Sequence, residues 1–272
     1  MYNEKQKAFT LVELLVVISI IGLLMSILLP VLSTARAQAY AVVCTVNLRQ
    51  LLIANMGYAN ENEDFYVAAA SDMLEYKGGL HRWHGVRTDP DEPFDPTRGP
   101  LVGYLGDGKV KECPRKVKFT KNTGWSSNYE QGCGGYGYNI SYIGSRLWRG
   151  YSTMDSWKRA HTQTTRITEV ENPSKTLMFA DCAMSQNSKS YNETSFAWQP
   201  FILDFNGDPT DRYLSPTIHF RHRHKANVVW VDGHVSSLKM AQFDYTNVYG
   251  VDSADMELGW FGPIDNRLFD LE

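Results

Sequence analysis

Four histidines, His219, His222, His224 and His234, lie close together near the C-terminus, and imidazole nitrogens are among the ligands zinc takes. On an extended strand His222 and His224 share a face, and a neighbouring strand could bring His234 to them. The interleaved Arg221, Arg223 and Lys225 oppose a bound dication. The reading of His222 that fits is therefore structural: a hydrogen bond to backbone or to a hairpin base near Asp232. A second candidate is LDFNGDPTD, where Asp204, Asn206, Asp208 and Asp211 offer the oxygens calcium prefers. The EF-hand pattern fails there, because Gly207 is misplaced and Ser215 stands where a bidentate Glu belongs. A solvated acidic turn is the competing reading. Cys44, Cys113, Cys133 and Cys182 include no Cys-x-x-Cys pair, and four cysteines allow three connectivities. No Ser-His-Asp spacing and no Gly-rich phosphate loop is present. The expectation is a protein that is not an enzyme and carries no cofactor, apart from the calcium candidate at Asp204, Asn206 and Asp208.

The composition of the 272 residues is that of a folded chain, with 43% hydrophobic, 12% aromatic and 21% charged residues. It excludes a disordered chain and a collagen. A net charge of -3 leaves no field that could hold a nucleic-acid backbone. Mean hydropathy is -0.34 although one segment is intensely apolar, which excludes a protein with many membrane spans.

That segment runs from Leu11 to Leu32, with Glu13 its only charged side chain. It is long enough to cross a bilayer as a helix, which takes about 20 apolar residues. A carboxylate inside such a span costs several kcal/mol (roughly 3 on insertion scales) unless it finds a partner, so Glu13 requires one. A secretory signal peptide, cut near the small residues Ala35, Ala37 and Ala39, is one alternative, and a plain anchor is another. The helical pattern continues past those alanines, however: Leu32, Ala35, Ala39, Val42, Val46 and Ile53 form one stripe. One helix of about 50 residues, apolar first and amphipathic later, accounts for both parts. Gly57 and Asn60 are its candidate stop signals.

Beyond the helix, Asp89–Pro100 and the zone from Gly124 to Asn139 read as turns and loops. Thr176–Cys182 reads as a buried strand. Ala226–Leu238 reads as a hairpin whose apolar arms flank Asp232-Gly233, a dipeptide suited to a tight turn with positive φ. The fold class is α+β: a long N-terminal helix whose C-terminal half packs on an antiparallel sheet. No Gly/Ser linker divides the remainder, so residues 59–272 form one head domain.

The N-terminal segment KAFTLVELLVVISIIGLLMSILLP resembles the processing and methylation motif of type IV pilins and type II secretion pseudopilins. The resemblance implies a leader of residues 1–8 and a helix over 9–58. Prepilin peptidase would cut after Ala8, where the family more often has Gly, and Phe9 would become the N-methylated first residue. Glu13 would pair with the amino terminus of a neighbouring subunit during assembly. Gly22 and Pro30 fall where pilin helices often loosen on assembly, and both residues weaken helices. The implied localisation is a single-pass inner-membrane protein with its head in the periplasm, which passes into a periplasmic or surface filament. The implied partners are itself, other pilin-like subunits and the peptidase.

The head is similar to large pilin-like proteins with a His-x9-Asp-Gly pattern, here His222, Asp232 and Gly233. Cys44 before Asn47-Leu48-Arg49-Gln50, Cys113-Pro114, Tyr136-Gly137-Tyr138-Asn139 and Asn172-Pro173-Ser174-Lys175-Thr176 resemble the same group's recurring segments. An oxidising compartment follows from the pilin resemblance, so the cysteines should be paired. Because Cys44 and Cys113 belong to the shared segments, the resemblance implies bridges Cys44–Cys113 and Cys133–Cys182. The function so implied is a structural filament subunit. Its rivals are a minor adhesin that binds glycans or surfaces through a head rich in Trp and Tyr, and an anchored metallohydrolase around His222, His224 and His234.

Overall fold

A computed structural model describes residues 9–73, 79–115, 117, 119 and 130–272. The chain divides into two compact units, one ending at Ala39 and one spanning Tyr40–Glu272. Helix α1, Leu11–Glu61, contributes to both. Thr10 opens it through a capping box: the Thr10 hydroxyl accepts from the Glu13 backbone at 3.2 Å, and the Glu13 carboxylate accepts from Thr10 N at 2.8 Å. The helix runs unbroken through Gly22 and Pro30. Its length, about 76 Å at 1.5 Å per residue, is more than twice the hydrocarbon core of a bilayer.

Two expectations about α1 change. Gly57 does not end it, since the helix continues to Glu61 and the Tyr104 ring packs on Gly57. The stop comes from Glu63 and Asp64, whose φ values of 53° and 64° break the helical path. The face that enters the head is also not the purely apolar stripe. Val42, Val46 and Ile53 are 61%, 49% and 59% exposed, whereas Cys44, Asn47, Leu48, Leu51, Leu52, Asn55 and Ala59 are buried. Two asparagines on the inner face decide this. Asn47 Nδ2 donates to the Tyr136 hydroxyl and Asn55 Nδ2 to the Tyr138 hydroxyl, both at 3.0 Å.

Tyr136 and Tyr138 share a face of strand β1, Tyr136–Asn139, by the alternation of a strand. The loop zone expected to end at Asn139 therefore gives way to a central strand. Its neighbours are β2 (Leu177–Asp181), β3 (Phe196–Ala197), β4 (Lys225–Trp230) and β5 (Val235–Lys239). The sheet order is β5-β4-β2-β1-β3. Every pairing is antiparallel except β1 with β3, which is parallel. All five residues of β2 are buried, as a strand covered on both faces requires. Gly137 lets β1 lie close to its surroundings, because a Cβ there would fall 2.4 Å from Cys182 Sγ and 2.7 Å from the Phe196 carbonyl carbon. Trp83, Tyr138 and Phe179 fill the centre, with ring centroids 4.6–5.1 Å apart for Tyr138–Phe179 and Trp83–Phe179.

The β4–β5 hairpin forms as expected, with a three-residue loop in place of a two-residue one. Trp230 N donates to His234 O and Gly233 N to Trp230 O, both at 3.0 Å. Gly233 takes φ 97°, so the glycine supplies the left-handed residue that such a loop needs. Helix α2, Met154–Thr162, is capped by the reciprocal Thr153 and Ser156 pair.

Candidate functional site

The described head brings together four side chains from segments far apart in sequence: Cys44, Cys113, Asp181 and His222. One ligand-type atom from each lies within 4.8 Å of all the others. Cys44 comes from the buried face of α1, and Asp181 ends β2. Cys113 sits on a loop tied to the segment just before β1 by its N–H to Gly134 O at 2.9 Å. His222 precedes two consecutive left-handed residues, Arg223 (φ 56°) and His224 (φ 60°). They reverse the chain so that His222 N donates to Lys225 O at 2.9 Å. Non-glycine residues hold that conformation at a cost of order 1–3 kcal/mol each. The turn sends His222 inward and leaves His224 88% exposed at its side chain, beside Glu257 at 2.6 Å.

Cys44 Sγ donates to Asp181 Oδ1 at 2.8 Å. His222 Nε2 lies 3.4 Å from Asp181 Oδ2 and 3.5 Å from Cys113 Sγ. Asp181 is fully buried, and its Oδ2 also accepts from the Asn227 backbone at 2.8 Å. Arg221 is buried beside the group, with Nη2 donating to Gly135 O at 3.0 Å and to Cys182 O. The neighbouring Cys44 pulls the Cys113 thiol down to about 5 against burial, helped by His222 and Arg221. Burial opposes a charged His222, but Asp181 and Cys113 outweigh it and lift the imidazole to about 9. Burial raises the Asp181 carboxyl, and His222 and Arg221 more than reverse that. Cys44 is held up as a thiol, mainly by burial. The group is thus a buried set of two sulfurs, one carboxylate and one imidazole.

Several sequence expectations are corrected here. The histidines His222, His224 and His234 do not converge: His222 and His224 sit in a turn and not along one strand face. His234 Nδ1 instead meets Asp232 Oδ1 at 2.6 Å, with its ring stacked on Trp230. His222 does not bond the hairpin base at Asp232 either, since its partners are Asp181 and Cys113. His219 is buried, its ring tilted against Tyr191 with centroids 4.6 Å apart. The expected bridges Cys44–Cys113 and Cys133–Cys182 are absent, and all four cysteines are free thiols. Cys44 is engaged by Asp181, Cys133 donates to Thr194 O at 3.4 Å, and Cys182 is wedged against Gly137. Asp204, of the calcium candidate, caps its own turn. Its Oδ1 accepts from Asn206 N at 2.8 Å and Asp208 N at 3.0 Å, closing the hairpin between 201–203 and 209–213.

Two features went unread in the sequence. Asp181 carried no signal beyond lying within the expected strand Thr176–Cys182, while Cys44, Cys113 and His222 were each noted in separate motifs. The other is a buried ionic network in which Arg82 Nε contacts both Glu130 oxygens at 3.0 and 3.1 Å. His84 lies 4.0 Å from Glu130, and the Ser195 hydroxyl donates to it.

At the N-terminus, Phe9 is 71% exposed, and Ala8 with the rest of residues 1–8 lies outside the described residues. Residues 4–29 match the family described as the prokaryotic N-terminal methylation motif. No curated protein and no solved structure matches the chain. The motif and the apolar helix behind it support a pilin- or pseudopilin-like class and imply a substrate for prepilin peptidase. They agree with a membrane-anchored protein, α1 being long and apolar enough to span a bilayer.

Proposed function

We propose that this protein is a structural, non-catalytic subunit of a type IV pilus-like or type II secretion pseudopilus filament. It waits in the inner membrane with its head in the periplasm, and assembles through α1 with copies of itself and with other pilin-like subunits. The observation that carries this reading is the outer face of α1. In the first unit the large apolar side chains from Phe9 to Leu32 stay uncovered, and in the head unit so do Val42, Val43, Val46 and Ile53. In water such uncovered apolar surface is unfavourable, at roughly 25 cal/mol per Å² left exposed, and a bundle of like helices would bury it. Glu13 lies in the first turn of the helix. Its contact with Thr10 is local and exposed, so a freed Phe9 amino group of a neighbour can replace it. Glu13→Ala should abolish filaments while the head keeps its melting temperature. Filaments of normal yield from that variant would overturn the reading. Mass spectrometry of the mature chain should find methylated Phe9 as the first residue.

The adhesin reading keeps one specific support, a cleft of about 340 Å³ lined by Tyr151, Met154, Trp157 and Phe205. Phe205 is 73% exposed, and the Tyr151–Trp157 and Tyr151–Phe205 ring centroids are 6.0 and 5.5 Å apart. Exposed aromatic faces of this kind suit the apolar side of a sugar ring. A glycan array probed with the full chain, with Trp157→Ala as the control, tests it: no binding above that control removes the reading.

A further inference from the structure

The geometry points to a structural zinc site formed by Cys44, Cys113, Asp181 and His222. Four protein ligands of mixed sulfur, nitrogen and oxygen type, closed off from further donors, are what tetrahedral structural zinc takes. Zinc bonds of about 2.3 Å to sulfur and about 2.0–2.1 Å to nitrogen and oxygen put neighbouring tetrahedral ligand atoms roughly 3.3–3.8 Å apart. The edges His222–Asp181 at 3.4 Å and Cys113–His222 at 3.5 Å already have that length. The Cys44 contact is made to the other carboxylate oxygen, Asp181 Oδ1, and is shorter, at 2.8 Å, because a thiol proton bridges it. Loss of that proton on binding opens it toward the tetrahedral value.

Charge balance supports the assignment. Arg221 is buried beside the four groups. With both sulfurs as thiolates and Asp181 ionised, one zinc ion and the Arg221 guanidinium leave no net charge. Buried charge is tolerated when it is neutralised in this way and costly otherwise. An outer contact is also in place: the Asn227 N–H donates to Asp181 Oδ2 at 2.8 Å and fixes the carboxylate beside the other ligands. The strained turn at Arg223 and His224 gains a reason, since it delivers His222 to the cluster. The ion would bind α1, the Cys113 loop, β2 and the β4 entry turn to one point, so metal affinity becomes folding stability. Arg221, which seemed to oppose a dication near the histidines, is instead the buried cation that the third anionic ligand balances.

The test uses the full chain in detergent, purified through a tag without histidine. Elemental analysis should find one zinc per chain. After chelation and re-addition of cobalt(II) as the probe, a thiolate-to-cobalt charge-transfer band and intense tetrahedral d–d bands should appear. Cys113 is on a loop and only partly buried, so Cys113→Ser is the least disruptive ligand variant. It should weaken cobalt binding about a hundredfold or more, beyond the 10–100-fold typical of outer-contact losses, with the charge-transfer band reduced. His224→Ala, at the exposed neighbour, should bind cobalt as the parent does. The wild-type spectrum by itself reports thiolate ligation, so the proposal stays testable if the variant fails to fold. It is overturned if the isolated chain holds no zinc and gives no charge-transfer band. It is equally overturned if thiol mapping finds Cys44 disulfide-bonded to Cys113, or if His224→Ala loses cobalt as Cys113→Ser does.

Discussion

Replacing Asn55 by Ala removes the polar latch between α1 and the sheet, and the cost follows from its contacts. The Asn55 side chain is fully buried. Its Oδ1 accepts from the Val67 N–H at 2.9 Å, and its Nδ2 donates to the Tyr138 hydroxyl at 3.0 Å. Tyr138 keeps its own bond to Val67 O at 3.1 Å in the variant. The Val67 N–H does not keep a partner, and a buried donor left unsatisfied costs about 1–3 kcal/mol. The lost bond to Tyr138 adds about 1 kcal/mol. The expected destabilisation is therefore about 2–4 kcal/mol. For a head of this size, roughly 2–4 °C per kcal/mol gives a fall in Tm of about 5–15 °C. The assay is a tryptophan-fluorescence melt of the detergent-solubilised chain beside Ile53→Ala. That residue lies two positions away on the outer face, 59% exposed, and its truncation should change stability by less than about 0.5 kcal/mol. If Asn55→Ala melts with the parent, or Ile53→Ala costs as much, the assignment of the inner face is wrong.

Gly137→Ala should prevent the head from folding or cost several kcal/mol (about 3 or more), because backbone at Phe196 cannot yield to a Cβ 2.7 Å away; recovery of folded chain and its Tm measure this. His161 is held neutral by burial, which lowers it to about 4, against an unfolded value near 6.5. Since the unfolded chain binds the extra proton, stability is complete above about pH 6.5 and falls by on the order of 2–3 kcal/mol as pH drops to about 4. His161→Gln should flatten that part of a denaturation-versus-pH curve, and an unchanged slope would show that another group carries it.

The methylation motif, the unbroken apolar run and the isolated Glu13 were legible from sequence, because each is a contiguous pattern with one physical cause: a segment that must leave water. The β4–β5 hairpin was legible for the same reason, with Gly233 as the residue that can take the left-handed turn. The buried strand at 177–181 followed from its uninterrupted apolar side chains up to Asp181. The inner face of α1 was not legible. Apolarity alone selected Val42, Val46 and Ile53, which the single chain leaves exposed. The face that enters the head carries Asn47 and Asn55, whose burial is favourable only once Tyr136 and Tyr138 meet them from more than eighty residues away. Nor does any local spacing relate Cys44, Cys113, Asp181 and His222. A helix, a loop, a strand end and a left-handed turn each supply one atom, so only the tertiary packing of those four segments makes them a single site.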